Sequence, residues 1–255
     1  MRRLLEKLRA GFIRALDGIG MRDRARRAQE RYSLSPRIRR DARDHRHFDV
    51  ILSALLGPDD LCVDVGANVG TVTDTIVRCA PEAKHVLIEP LPNLAARLTE
   101  RFPGCEVHAV ACSDHEGNEA FTRVVERPTR SGLAPGQVKA GMTTESLAVR
   151  VTTLDRLLGS RDPRVIKIDV EGAELQVLRG ARTTLGRARS VVLFEHQPPA
   201  DRVDQETSAL HRLLADLDYR VFDIDGVGPL TEGELVETCR TGRVWNFVAT
   251  PVQVA

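Results

Sequence analysis

The sequence predicts an α/β fold: a doubly wound, mostly parallel sheet with helices on both faces, preceded by an N-terminal helical extension. Three observations predict it. Short apolar runs of strand length alternate with segments whose apolar residues recur at helical spacing. Two of these runs end in acidic residues, Asp64 and Asp169, at the place where open parallel sheets bind ligands. Residues 1–46 differ from the rest in charge and carry the predicted extension.

Each element follows from a local pattern. Apolar runs predict strands at 61–66, 85–89, 105–112, 118–125, 149–152, 164–169, 190–195, 219–224 and 243–249, of which the last could enter the sheet antiparallel. Helical spacing predicts helices at 47–56, 69–79, 93–102, 173–185 and 205–218, with a further one beginning at 154–158. Residues 126–147 contain several glycines and prolines without a clear period, which predicts a long loop. Long loops in compact domains are usually functional.

Charge is unevenly distributed along the chain. The whole sequence has a net charge of +1, which gives no electrostatic bias toward nucleic acid, and we expect no nucleic-acid partner. Residues 1–47 hold 15 basic and 6 acidic residues, a net charge of +9. Apolar residues recur at helical spacing over 1–20, which predicts a basic amphipathic helix. We expect this helix to pack on the domain or on a second copy in a homo-oligomer; contact with a membrane surface is the alternative. The predicted division is an extension, 1–46, and a domain, 47–255.

Cysteine usage and hydropathy predict a cytoplasmic location. The five cysteines are odd in number and show no Cys-x-x-Cys spacing, so we expect reduced thiols rather than disulfides or zinc ligands. No apolar run approaches the roughly 18 residues of a membrane span. The N-terminus lacks the apolar core of a signal peptide.

The sequence DVGANVG (residues 64–70) follows an apolar strand and predicts a glycine-rich turn into a helix. Such a turn brings a ligand against bare backbone N–H groups at a helix N-terminus. Gly66 suits a positive φ and Gly70 a close helix–strand approach. The middle position is Asn68 rather than the glycine that a pyrophosphate requires, which disfavours NAD and FAD. Glu89, about 20 residues later, is placed to bind ribose hydroxyls. Asp64 fits a ligand with an amino-acid end and a positive centre, as in S-adenosylmethionine.

A second acidic motif follows the strand predicted at 164–169. Asp169 should lie in the same crevice as Gly66, where its carboxylate could orient a substrate hydroxyl, and Glu171 could point into that crevice. His196, after the next strand, is a candidate general base, or else it satisfies backbone groups locally. The histidines show no metal-ligand spacing, and we expect no metal. A metal site of Asp169, Glu171 and Glu195 is the less favoured alternative.

These motifs together resemble the FkbM family of S-adenosylmethionine-dependent methyltransferases. The matching pieces are VDVGANVGTVT (63–73), LIEPLPN (87–93), AVACSDHEGN (109–118), TTLDRL (152–157), IKIDVEGAELQVLRGA (166–181), LFEHQP (193–198) and WNFVAT (245–250). The resemblance covers roughly residues 47–250. It implies a doubly wound, mostly parallel, seven-stranded Rossmann-like sheet of the class I methyltransferase type. It also implies transfer of a methyl group to hydroxyl oxygens of sugars, polyketides and related small molecules.

The resemblance also implies a role for each matching residue. The methionine end of S-adenosylmethionine would be held by Asp64, Gly66, Asn68 and Gly70, and the ribose by Glu89. Ser113 and Asp114 would lie beside the adenine. Asp169 and Glu171 would face the methyl-transfer site, with the base, His196 or a nearby carboxylate, left open by the motifs.

Three other functions are weighed against this hypothesis. An NAD-dependent oxidoreductase is disfavoured by Asn68. A catalytically inactive S-adenosylmethionine-binding protein is disfavoured by the presence of Asp169, Glu171 and His196. A nucleic-acid methyltransferase would commonly carry an Asn/Asp-Pro-Pro-aromatic element, whereas Pro198-Pro199 here is preceded by Gln197 and followed by Ala200.

Overall fold

A computed structural model describes residues 36–124, 131–133 and 143–252, with side chains from residue 43 onward. The predicted helix at 1–20 and most of the predicted loop at 126–147 lie outside the described residues. The described residues from Phe48 onward form one compact unit. The first described helix, Pro36–Leu55, is longer than the helix predicted at 47–56 and runs through the predicted boundary at residue 46. That boundary stays a prediction.

Ten strands and eight helices are described, numbered here in chain order. The strands are β1 Cys62–Val65, β2 Val86–Ile88, β3 Glu106–His108, β4 Ala111–Cys112, β5 Gly117–Val124, β6 Thr144–Thr152, β7 Val165–Ile168, β8 Val191–Glu195, β9 Tyr219–Asp223 and β10 Asn246–Pro251. The helices are α1 Pro36–Leu55, α2 Thr71–Cys79, α3 Pro92–Arg101, α4 Leu154–Leu158, α5 Glu174–Arg179, α6 Arg182–Ala188, α7 Val203–Asp216 and α8 Glu232–Thr241.

The main sheet has seven strands in the order β3-β2-β1-β7-β8-β10-β9. All pairs are parallel except those of β10, which runs antiparallel to β8 and β9. This confirms the predicted doubly wound, mostly parallel α/β sheet. The strand order changes direction between β1 and β7, so a crevice opens beyond their carboxyl ends, where ligands bind in such folds.

A second, three-stranded sheet has the order β4-β6-β5. The single strand predicted at 105–112 is wrong: β3 joins the main sheet, whereas β4 pairs with β6 in the small one. The loop predicted at 126–147 is also too long, because β6 begins at Thr144 and pairs with β5 from Thr144 to Val151. Both errors concern pairing between strands distant in sequence, which local patterns do not encode.

Two helical predictions need correction. The helix predicted at 173–185 is split into α5 and α6 around Gly180, where a Cβ would collide with the carbonyl oxygen of Ser113. Helix α8 was not predicted. Its N-terminus carries a capping box in which Thr231 and Glu234 satisfy each other's backbone N–H groups, and this sequence signal was available.

The core lies on both faces of the main sheet. Every residue of β1, β2 and β7 is buried, as expected for parallel strands covered by helices on both sides. Two charged residues, Asp64 and Lys167, are included in this buried set. No helix in the described part of the chain is long and apolar enough to cross a membrane.

Candidate active site

The turn after β1 adopts the left-handed backbone conformation at three positions. The φ angles are +81° at Gly66, +51° at Asn68 and +79° at Gly70. A Cβ at Gly66 would collide with the carbonyl oxygen of Asp169, and a Cβ at Gly70 would collide with the ring of Phe102. The tight turn predicted at Gly66 is therefore also a point of close approach between the end of β1 and the end of β7.

The N–H groups of this turn are not bare, contrary to the sequence prediction. Those of Gly66 and Ala67 donate to the carbonyl oxygen of Ile88, at 2.9 and 3.1 Å. The Gly70 N–H donates to the Ala67 carbonyl at 2.7 Å, and the Asn68 N–H donates to a carboxylate oxygen of Glu89 at 3.0 Å. The cap residue of α2, Gly70, provides no side-chain hydrogen bond to the first N–H groups of the helix. A ligand at this helix end stays a prediction.

Glu89 is fixed by the backbone at the end of β2. Its side chain is buried, with one carboxylate oxygen accepting from Asn68 N–H and the other from Leu91 N–H at 2.9 Å. Burial raises the pKa of Glu89 to about 7, although these two hydrogen bonds oppose the shift. Each oxygen keeps a further lone pair, so the carboxylate can still accept from two hydroxyl groups.

Asp64 lies deeper than the sequence suggested. It is 1% exposed, and its carboxylate accepts a hydrogen bond from the Thr73 hydroxyl at 2.6 Å. In the parallel pairing of β1 with β7, Asp64 stands opposite Lys167. Burial raises the pKa of Asp64, against the opposing effects of Lys167 and Thr73. The described partners of Asp64 are therefore protein groups, and its predicted role in holding the methionine end of a donor stays a prediction.

Lys167 is a site residue that sequence reasoning missed. It is 2% exposed, and its Nζ lies 2.9 Å from Oδ2 of Asp169. Burial opposes its charge, but the carboxylates of Asp169 and Asp64 outweigh burial and raise the pKa of Lys167. The available signal was a lone lysine inside the apolar strand VIKI, since a lysine is almost never fully buried without a partner.

Asp169 and Glu195 lie at the carboxyl ends of neighbouring strands. The pairing of Ile168 with Phe194 places Glu195 beside Asp169 in the next register position. Gln197 donates to Oε1 of Glu195 at 2.7 Å. Burial, followed by the charges of Asp169 and Glu171, raises the pKa of Glu195 well above its usual value. The side chain of Asp169 remains 35% exposed, so the pair is open to the crevice.

Glu171 lies in a strained turn directly after Asp169. Its φ is +54°, an uncommon value for a residue with a side chain, and Gly172 follows at +107°. The Gly172 N–H donates to Glu174 at 3.0 Å, which holds the turn against α5. The charge of Glu171 contributes to raising the pKa of Glu195.

His196 is not brought to this group of carboxylates by any described hydrogen bond. Its ring is 2% exposed, its Nε2 lies 3.1 Å from the Thr207 hydroxyl on α7, and its Nδ1 lies 3.7 Å from Glu174. The backbone N–H of His196 donates to the carbonyl of Trp245 at 2.8 Å. The ring thus contacts the side chains of Thr207 and Glu174 rather than backbone groups, and its buried Nδ1 makes no hydrogen bond within the described residues. A catalytic role for His196 stays a prediction.

Ser113 contacts the end of β6, and Asp114 lies near the end of α5. Ser113 is buried, and its N–H donates to the Thr152 carbonyl at 2.9 Å. Asp114 lies 3.1 Å from His115 and 3.9 Å from Arg179. Their predicted position beside an adenine ring stays a prediction.

The described side chains contain no group of three or more His, Cys, Asp or Glu residues able to hold a metal ion. In the alternative metal site suggested by the sequence, Asp169 instead has the ammonium group of Lys167 as its neighbour. The structure thus joins the glycine turn to an acidic cluster organised around a buried lysine, which we call the Lys167 cluster: Asp64, Lys167, Asp169 and Glu195.

Two curated proteins resemble this chain over most of the domain. A hexuronic acid methyltransferase, AglP, from Haloferax volcanii is 28% identical over 196 residues, covering 74% of this chain and 76% of that protein. The antimetabolite synthetase AmbE from Pseudomonas aeruginosa is 29% identical over 203 residues, covering 64% of this chain. The chain spans 9% of the length of the synthetase.

The solved structures include a methyltransferase FkbM from Methylobacillus flagellatus KT, with a TM-score of 0.49 and 16% identity, covering 78% of this chain and 47% of that one. The family model described as the methyltransferase FkbM domain matches residues 64–221, from the acidic residue of β1 to the middle of β9. Because this match covers more than half of the sequence, the chain belongs to the FkbM methyltransferase family.

Proposed function

We propose that this methyltransferase uses S-adenosylmethionine to methylate a hydroxyl oxygen of a small, polyhydroxylated molecule such as a sugar or glycoside. The observation that carries the proposal is the Lys167 cluster, which lies against the turn at Gly66. The similarity to a hexuronic acid methyltransferase supports a sugar-type acceptor. A sulfonium donor, when bound, supplies a methyl group that is already activated toward an oxygen nucleophile.

The residues around the first turn fit this donor. Glu89 presents a carboxylate whose position is fixed by two backbone N–H groups, which suits a pair of ribose hydroxyls. Gly66 and Gly70 leave no side chain between the turn and its neighbours, and the start of α2 can face a ligand carboxylate. Asn68 contributes its backbone to the same turn. Asp64 acts through Lys167 and Thr73, while Ser113 and Asp114 complete the predicted adenine side.

The Lys167 cluster fits the acceptor. Lys167 holds Asp169 in one orientation, and the exposed part of Asp169 can accept a hydrogen bond from a substrate hydroxyl. Glu195 lies beside Asp169 and can take the proton that the hydroxyl loses as the new bond forms. The raised pKa of Glu195 brings this carboxylate closer to the pH at which a general base works best.

The chain contributes mainly alignment and water exclusion, since alignment of the reacting atoms supplies much of the rate in such displacements. Glu171 contributes a further carboxylate at the edge of the crevice. The carboxylates of the cluster and of Glu171 outnumber the single charge of Lys167. This balance favours an acceptor that donates hydrogen bonds through neutral hydroxyl groups over one that presents an anion to Asp169.

The experiment is a screen for release of S-adenosylhomocysteine from S-adenosylmethionine. The panel contains glucuronic and galacturonic acid, glucose, galactose and their simple glycosides. We expect turnover with at least one sugar and a product carrying a methyl ether, identified by mass spectrometry and NMR. A methyl ester as the product would overturn transfer to a hydroxyl, and cofactor binding without turnover of any hydroxylated metabolite would favour the inactive binding protein.

Two neighbouring substitutions test the identity of the base. Glu195→Gln should lower kcat by about 10²–10⁴-fold, because the carboxylate that accepts the proton is lost. His196→Gln is the matched control and should leave kcat within about threefold of wild type, since its ring faces α7. A large loss of kcat in His196→Gln, with kcat near wild type in Glu195→Gln, would instead identify His196 as the general base.

A further inference from the structure

The tripeptide Ser131–Leu133 links the small sheet to the turn that carries Glu171. Gly132 forms two hydrogen bonds with Thr122 of β5, with N···O distances of 3.0 and 3.1 Å. The Ser131 hydroxyl accepts a third, from the Val124 N–H, at 3.0 Å. Leu133 packs on the apolar cluster between the small sheet and α3. The tripeptide is therefore fixed to β5 by both backbone and side-chain contacts.

The opposite side of Gly132 lies against the backbone that follows Asp169. A Cβ placed on Gly132 would come within 3.0 Å of the carbonyl oxygens of Val170 and Glu171, and within 3.4 Å of Cβ of Glu171. Gly132 is buried, and the close approach alone explains why a side chain is absent there. The tripeptide bound to β5 of the small sheet thus contacts the turn at 170–172, which follows β7 of the main sheet.

The turn at 170–172 needs support from outside. Glu171 has a left-handed φ that costs on the order of 1 kcal/mol for a residue with a side chain, and such conformations persist where the surroundings fix them. The Gly172–Glu174 hydrogen bond holds one side of the turn. Gly132 closes the other side.

We propose that the tripeptide Ser131–Leu133 is a positioning element of the acceptor site, in which Gly132 holds the Glu171 turn and thereby directs the Glu171 carboxylate toward the acceptor. This inference rests on the proposed function for its kinetic consequence, but its structural part can be tested without an acceptor. It assigns the small sheet to acceptor recognition, whereas the first turn and Glu89 serve the donor.

Hydrogen–deuterium exchange tests the contact directly. Gly132→Ala should make the peptide covering 169–173 exchange about fivefold faster, because the new methyl group displaces the turn. Ser131→Ala should act in the same direction but less strongly, since it removes one of three anchoring hydrogen bonds. Gly104→Ala is the matched control, because nothing lies within 4 Å of a Cβ there. Unchanged exchange at 169–173 in both test variants would overturn the proposal, whatever the screen for acceptors finds.

Kinetics test the consequence for the acceptor. With glucuronic acid or glucose, whichever the wild type turns over faster, Gly132→Ala should raise the acceptor KM by about tenfold. The KM for S-adenosylmethionine should stay within about twofold, because the atoms nearest to a Cβ at Gly132 belong to Val170 and Glu171 rather than to the donor residues. Equal losses for donor and acceptor would indicate a purely structural role and contradict the inference. Failure of the wild type to methylate either sugar would instead count against the proposed function, and the exchange measurement would still decide this inference.

Discussion

The two ends of the crevice are held in different ways. We call the turn at 66–70 and Glu89 the donor end, after the ligand proposed for it, and Asp169 with Glu195 the acceptor end. At the donor end, the carboxylate of Glu89 is 4% exposed and bonded to two backbone N–H groups. At the acceptor end, Asp169 and Glu195 are bonded by the side chains of Lys167 and Gln197, and Asp169 remains 35% exposed. The backbone therefore fixes the donor end, whereas side chains fix the acceptor end. Substitutions at the acceptor end should alter catalysis without disturbing donor binding.

The largest effect is expected at Lys167, which lies between Asp64 on β1 and Asp169 at the end of β7. Lys167→Met removes the cation that lies opposite Asp64 and beside Asp169, leaving Asp64 buried without its counter-charge. We expect a loss of about 3–5 kcal/mol in the free energy of unfolding, measured by urea denaturation at pH 7.5. Lys84→Met on the exposed surface is the control and should change it by less than about 0.5 kcal/mol. A loss as small as that of the control would show that Lys167 is not the counter-charge on which the buried Asp64 depends.

The second-largest effect is expected at Asp169, where turnover and donor binding should respond differently to substitution. Asp169→Asn keeps the shape of the side chain but loses the charge that faces Lys167 and the acceptor. Turnover should fall by about 10²-fold, while calorimetry should show S-adenosylhomocysteine binding within about twofold of wild type. Asp201→Asn, at an exposed aspartate, controls for the loss of one charge. A parallel loss of binding and turnover would show that Asp169 also contributes to donor binding, which would contradict the distinction between the two ends.

A smaller effect concerns the donor end and pH. The pKa of Glu89 is raised to about 7, so its carboxyl is mostly protonated at pH 6 and mostly ionised at pH 8. The ionised form accepts hydrogen bonds with both oxygens, so S-adenosylmethionine affinity should increase with pH by up to about tenfold between 6 and 8. Calorimetry at both pH values checks this. Glu89→Gln should bind weakly and without this pH dependence; a variant that keeps the dependence would assign it to another group, such as Glu195.

The donor end was largely predictable from the sequence, because its parts lie in local patterns. Spacing alone predicts the strand, the glycine turn and the carboxylate after the next strand. In the structure, Gly66 has the expected positive φ and Glu89 lies at the end of β2, against the turn. Asp64 was placed in the correct strand, but its burial depends on the residue opposite it in β7. Pairing across a sheet is not encoded locally.

The acceptor end was less predictable for the same reason. The choice between Glu195 and His196 depends on which of two adjacent residues faces Asp169, and that follows from the pairing of β8 with β7. Lys167 was visible as a charge in an apolar strand, and Asp169 follows two residues later, but its second partner, Asp64, comes from the neighbouring strand β1. The small sheet pairs residues 20 to 40 positions apart along the chain, so neither β4 nor the full length of β6 followed from local periodicity.

The central claim is that one crevice binds the donor at Glu89 and presents it to Asp169. A crystal structure of the protein with S-adenosylhomocysteine tests it most directly. We predict ribose hydroxyls within hydrogen-bond distance of Glu89 and the sulfur directed toward the Lys167 cluster. A crevice that stays empty at saturating S-adenosylhomocysteine, or a ligand whose sulfur points away from Asp169, would contradict the account.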